Sequence, residues 1–175
     1  GSAPSVIELI ILSFIAGMGV VLLVLPAERL AGAVATGEAL VILWAVLEEV
    51  FKFLAAAIVV LWRRAVNEPI DMVIYMITVA LGFAAFENAL FLLSPLSQAN
   101  FLDSVVTGNL RFLGATLLHT LASAIVGLSM ALSFYRTRST RVFSILGGLI
   151  LAIVLHALFN FSIMVDNGEK LLYVF

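Results

Sequence analysis

Glu48, Glu49, Lys52, Glu87, Asn88, His119, His156 and Asn160 can all do chemistry, and all lie inside otherwise apolar stretches of this chain. Both histidines of the sequence are in this set. On a helix Glu48 and Lys52 are spaced i,i+4, and Glu49 and Lys52 i,i+3, so the ammonium can reach either carboxylate. The adjacent glutamates point about 100° apart, which gives them different tasks. His156 and Asn160 share a helix face, as do His119 and Ser123. Three carboxylates and two imidazoles can hold a hard or borderline divalent ion, and sets of His and Glu suit zinc. Glu87, His119 and His156 are the candidate ligands, and zinc is the candidate cofactor. The same groups can activate water without a metal, with a glutamate as base and His or Asn polarising a carbonyl. Both chemistries fit the residues. There is no HExxH motif and no Ser–His or Asp–Asp pairing. With no cysteine in the chain, thiolate sites and disulfides are excluded.

The elements that position these groups follow from composition. The chain has 175 residues, 63% hydrophobic and 11% charged, with a mean hydropathy of +1.21. A soluble domain has roughly 45–50% apolar and about 25% charged residues. A water-soluble globule, a disordered chain and a coiled coil are therefore excluded. A nucleic-acid binder is excluded too, since 9 Lys+Arg stand against 11 Asp+Glu. The apolar runs are much longer than barrel strands. The reading is an all-α polytopic transmembrane helix bundle in one integral-membrane domain, 1–175. Five segments reach the roughly 20 residues needed to cross the hydrocarbon: 6–25, 39–62, 70–93, 109–134 and 142–165. Pro26 closes the first, Arg63-Arg64 the second and the region of Pro95 the third. Arg136, Arg138 and Arg141 follow the fourth, and Asp166-Asn167-Gly168 close the fifth. The first span reads as scaffold, and Glu8, Glu28, Glu38, Glu68, Asp71, Asp103 and Asp166 as interfacial or loop charges. A signal peptide is a poor reading of the first span, which lacks a basic start and carries Glu8. Gly1-Ser2 reads as a cloning remnant. The apolar tail 171–175 reads as the start of a further span or as an interfacial segment.

Charges in a bilayer core cost at least ~2.5–3.5 kcal/mol each and mark function by default. Their depth follows from the helical rise. Measured from the side opposite the arginine-rich loops, Glu48, Glu49, Glu87, His119 and His156 all fall roughly 9–15 Å below one face. Four helices of alternating direction thus place their ionisable groups in one layer. Taken singly, each group has a plain structural use. A Glu49–Lys52 bridge can merely neutralise itself, and a histidine or Asn88 or Asn160 can hydrogen-bond between helices. Ser123, Thr116, Thr120, Gly17, Gly19 and Gly147-Gly148 read as packing. The layer as a whole exceeds any such need. Arginines at 63, 64, 136, 138 and 141, against Arg29, Arg111 and Lys170, put the arginine-rich loops and the N-terminus inside. The layer then lies in the outer half of the bilayer.

The motifs themselves carry a resemblance. Span two holds Glu48-Glu49-Val50-Phe51-Lys52, an EExxK motif. Span three holds Phe83-Ala84-Ala85-Phe86-Glu87-Asn88, an FxxxE motif followed by Asn. Arg111 precedes His119 on span four, and span five holds His156-Ala157-Leu158-Phe159-Asn160. This ordered set, covering spans two to five, resembles the PrsW family of intramembrane proteases. The resemblance implies cleavage of membrane-anchored proteins, anti-sigma factors among them, at or near the outer membrane face of a prokaryotic plasma membrane. It also implies kinship with the CAAX prenyl endopeptidases and the bacteriocin-immunity group, whose motifs are EExxxR, FxxxH and HxxxN. Lys52 stands one residue before their Arg, and Glu87 stands where their His would be. Prenylated substrates are not implied for that reason. By the same carry-over Glu48 activates water, while His156 and Asn160 steady the oxyanion. The expected catalytic set is Glu48, Glu49, Glu87, His119, His156 and Asn160, supported by Lys52, Asn88 and Arg111. The expected partners are membrane lipid and a single-span protein substrate, with no nucleic acid and no soluble small-molecule cofactor. Two rival readings share the residues: a non-enzymatic immunity or receptor-like protein, and an ion or proton transporter. Retention of every useful group argues against the first. A relay must cross the bilayer, whereas this set clusters in one half, which argues against the second.

Overall fold

The computed structural model describes residues 4–96 and 101–165, with the side chains of 93–111 and 163–165 outside that description. The expected tail segment 171–175, Asp166 and the side chains of Asp103 and Arg111 lie outside the described residues. Five α-helices follow one another: α1 (Val6–Val34), α2 (Gly37–Ala56), α3 (Pro69–Leu96), α4 (Phe101–Leu132) and α5 (Arg138–Val165). The described residues contain helix and connecting turns, and no strand. In α1, α3, α4 and α5 there is enough length and apolarity to cross a membrane. α2 is not among those four. It covers most of the expected span 39–62, but it carries Glu38, Glu48, Glu49 and Lys52, the charges that lower its hydropathy.

The helix ends follow local chemistry. Ser5 caps α1, accepting from the Glu8 N–H while the Glu8 carboxylate accepts from the Ser5 N–H at 2.6 Å. Asp71 does the equivalent for α3, accepting from the N–H groups of Asn67 and Glu68 at 3.1 and 3.0 Å. Each carboxylate sits where a helix N-terminus favours negative charge. Gly37 makes the turn into α2 with φ +59°, a conformation that costs glycine little. At its far end α2 changes winding into a single π turn, Ala57–Leu61.

α1 does not end at Pro26. The helix runs through the proline to Val34, so the expected boundary at residue 25 is nine residues short. A proline removes one backbone bond, but apolar surroundings penalise unwinding more, because every freed backbone group would then lack a partner. The extension matters for function, because it keeps Glu28 on the helix. α4 starts earlier than the expected 109, at Phe101, and α5 at Arg138 rather than 142.

Packing is tightest where α1 crosses α3. A Cβ on Gly17 would overlap the Val79 carbonyl, and one on Gly82 would overlap the Phe14 carbonyl. Gly127 of α4 is pressed against Met72 and Val73 in the same way. Small residues at helix contacts let backbones approach closely, a main source of association in lipid. Tyr75, Met76, Val79, Ala122, Val126 and Ala152 form the centre. Leu22, Leu23, Leu117, Leu121, Ile150 and Leu151 face outward and are more than half exposed. An apolar outer surface on a helix bundle with a polar interior is the arrangement a bilayer demands.

Candidate active site

α2 delivers Glu48, Glu49 and Lys52 into the bundle, all buried. The faces that meet them come from three other helices: Glu87 and Asn88 on α3, His119 on α4 and His156 on α5. Lys52 is fully buried. Its Nζ donates to Glu49 Oε1 at 2.6 Å, lies 3.0 Å from His119 Nδ1 and stands 5.2 Å from the centroid of the Phe83 ring. Of the two glutamates within its reach, Glu49 is therefore its partner. Glu49 Oε1 also accepts from His156 Nδ1 at 2.7 Å. On its other side His119 places Nε2 3.0 Å from Glu87 Oε2.

These partners assign the imidazole protons. A carboxylate only accepts and an ammonium only donates. His156 therefore carries its proton on Nδ1, held by Glu49, and turns the Nε2 lone pair inward. His119 accepts from Lys52 at Nδ1 and carries its proton on Nε2, held by Glu87. Each imidazole thus has a carboxylate behind it, the arrangement that orients metal-binding histidines, and the lone pair of His119 is held by Lys52. The two rings meet edge to face, with centroids 5.3 Å apart.

Glu48 stands between those lone pairs. Its Oε2 lies 3.8 Å from His119 Nδ1 and 3.8 Å from His156 Nε2. That oxygen is buried and has no hydrogen-bond partner among the described residues. Donor atoms of Glu48, His119 and His156 all fall within 4.8 Å of one another. A tetrahedral ion bound at about 2.0–2.2 Å needs donors roughly 3.4 Å apart, so two of these separations are within half an ångström of that fit. The donor set fits a divalent metal, and His119 Nδ1, which accepts from Lys52 at 3.0 Å, would give up that bond to join it. The trio contains Glu48 where the sequence reading put Glu87. Glu87 instead backs His119, and its side chain is 25% exposed.

The other expected residues are placed as follows. Asn88 is buried, and its Nδ2 donates to Thr116 Oγ1 at 3.5 Å. Its Oδ1 has no partner among the described residues. Asn160 is half-buried, one turn beyond His156 on α5.

Two contributors escaped the sequence reading. The first is Glu28, assigned there to the interface. Its carboxyl interacts with that of Glu48 across the α1–α2 contact. Its main-chain carbonyl accepts from Trp44 Nε1 at 3.3 Å, tying α1 to α2 one turn from Glu48. Reading Pro26 as a stop hid this residue. The second is the role of Phe83, named above only as the start of the FxxxE motif, whose ring packs edge-on against His119 with centroids 5.0 Å apart. Phe83 and Glu87 are i,i+4, so one face of α3 supplies both the wall and the hydrogen bond for His119. That gives the FxxxE spacing its physical meaning.

A helical bundle that buries carboxylates and imidazoles beside an ammonium holds the groups needed to activate water inside a membrane. The chain matches the PrsW family of intramembrane metalloproteases over residues 5–175 and belongs to that family. It is an integral membrane peptide hydrolase. Neither a curated protein nor a solved structure matches it.

Proposed function

We propose that this protein cleaves a single-span, membrane-anchored protein near the outer membrane face, with Glu48, His119 and His156 holding a divalent metal. Zinc is the ion that best suits one carboxylate and two imidazoles with one position open. The observation that carries the reading is the orphaned Glu48 Oε2, buried 3.8 Å from two imidazole nitrogens. α2 then acts as the fifth crossing, inserted with its charges turned inward.

A bound divalent ion supplies Lewis acidity and a water that ionises near neutral pH. The chain's own residues do the rest. Glu49 and Glu87 hold the imidazole protons at His156 Nδ1 and His119 Nε2, fixing both rings. The Lys52 ammonium balances Glu49 inside the bundle and donates to His119 Nδ1, the atom that would hold the ion. Glu28 interacts with the Glu48 carboxyl from α1. Asn160, one turn from His156, donates to the developing oxyanion. The substrate helix must unwind locally, because a closed helix hides its carbonyl carbons. The arginine-rich loops on the opposite side support an outer-half position for this layer, with water entering from outside.

The test is cleavage of a co-reconstituted single-span substrate. Glu48→Gln should abolish cleavage while the protein still folds. A strong chelator should stop the native enzyme, and added zinc should restore it. Wild-type cleavage by Glu48→Gln would end this reading. Chelator-resistant cleavage with Glu48→Gln inactive would leave a glutamate base working without metal.

A further inference from the structure

At the arginine-rich end of the bundle lies a cavity of about 120 Å³, roughly three to four helical turns from His119, His156 and Glu87 and reaching Phe53, one turn from Glu49 on α2. Phe53, Leu61, Met72 and Ile145 supply apolar walls from α2, its π turn, α3 and α5. The span from Phe53 to Leu61 sets its long direction along the helix axis, roughly 12 Å. Its size is on the order of the 150 Å³ cavities that admit benzene. Trp62, which also lines it, and nearby Tyr135 are strongly exposed aromatic residues at one level of the bundle. Such aromatics sit at the headgroup region of a membrane.

The charge at this end is one-sided. Arg141 lines the cavity, with its guanidinium 5.7 Å from the centroid of the Phe134 ring. Among the described residues no carboxylate pairs with it, and none lines the cavity. Arg63, Arg64 and Arg136 stand on the two loops that frame it, and Arg138 opens α5 beside them. The nearby carboxylate Asp71 is engaged in capping α3. A further polar lining group, Ser133, gives its hydroxyl to the carbonyls of Ser129 and Met130. Arg141 is therefore the one charged group among the described lining residues, and the Trp62 indole N–H is a second donor there.

We propose that this cavity seats one anionic phospholipid, with its phosphate on Arg141 and an acyl segment along Phe53, Leu61, Met72 and Ile145. Inorganic phosphate would satisfy the arginine alone, whereas the apolar walls require an acyl chain. The bound lipid ties the π turn of α2 to the α4–α5 turn, at the end of the bundle below the carboxylate–imidazole layer. A basic cavity between membrane helices is a recurrent anionic-lipid receptor.

Trp44→Phe leaves Trp62 as the sole tryptophan, a reporter in the cavity wall. This variant is reconstituted in vesicles of phosphatidylcholine and phosphatidylglycerol, with one or the other carrying bromine on its acyl chains. At equal mole fractions brominated phosphatidylglycerol should quench Trp62 more strongly. Arg141→Gln should lower the relative affinity for phosphatidylglycerol about fivefold. Arg138→Gln, an exposed arginine that does not line the cavity, should leave the preference in place. Inorganic phosphate at matched ionic strength should not relieve the quenching. Equal quenching by the two lipids overturns the proposal. So does an equal loss in Arg138→Gln and Arg141→Gln, which would reduce the effect to diffuse attraction, or displacement by inorganic phosphate. The readout is fluorescence and not cleavage, so its outcome is independent of the metal reading.

Discussion

Lys52→Met keeps most of the side-chain length and removes the ammonium from the centre of the bundle. In the native protein Nζ is 2.6 Å from Glu49 Oε1 and 3.0 Å from His119 Nδ1, with no exposure to solvent. Removing one partner of a buried ion pair costs about 3–5 kcal/mol, because the other charge is left uncompensated. Glu49 keeps the His156 donor at 2.7 Å, which places the cost near the lower end, about 3 kcal/mol. At roughly 2–4 °C per kcal/mol for a chain of this size, the midpoint of thermal unfolding should fall by about 6–12 °C. The assay is thermal unfolding of detergent-purified protein. The double variant Lys52→Met/Glu49→Gln removes both charges and should recover at least half of the loss, since a neutral pair has little left to compensate. A single variant melting within about 2 °C of the native protein would refute this reasoning, as would a double variant no more stable than the single one.

Three further outcomes follow from the packing and the hydrogen bonds. Gly17→Ala drives a methyl into the Val79 carbonyl and should cost about 1–3 kcal/mol in chemical denaturation, whereas Gly19→Ala, with nothing near its Cβ, should stay within about 0.5 kcal/mol. Glu87→Ala removes the acceptor that holds His119 Nε2–H, so activity or metal affinity should fall roughly 10–100-fold with folding retained, as followed by cleavage rate and circular dichroism. Ser123→Ala deletes a buried hydroxyl that has no partner among the described residues, so its unfolding free energy should be unchanged or slightly higher.

What could be read from the sequence was depth. The rise per residue is the same in every helix, so Glu48, Glu87, His119 and His156 could be put in one layer by counting. Rotation about each helix axis could not be counted. α1 and α3 are apolar almost all round, and their facing sides depend on where Gly17 and Gly82 let the backbones close. For that reason Glu87 was placed in the ligand set and Glu48 was treated as the base. The structure turns Glu48 toward both imidazole lone pairs and sets Glu87 behind His119. Glu28 was lost to a local rule: proline stops helices in water, but α1 continues through Pro26 and carries the carboxyl to Glu48. The choice of Glu49 over Glu48 as partner of Lys52 was also beyond the spacing, since i,i+3 and i,i+4 serve equally well.

The central claim is that Glu48, His119 and His156 hold one divalent ion, with Glu87 outside the ligand set. Metal content of purified protein tests it directly, by elemental mass spectrometry on the native chain and on Glu48→Gln, His119→Ala, His156→Ala and Glu87→Gln. The account predicts about one zinc per native chain, loss of most of it in each of the first three variants, and substantial retention in Glu87→Gln. Full metal content in Glu48→Gln, or loss in Glu87→Gln as complete as in His156→Ala, would contradict it.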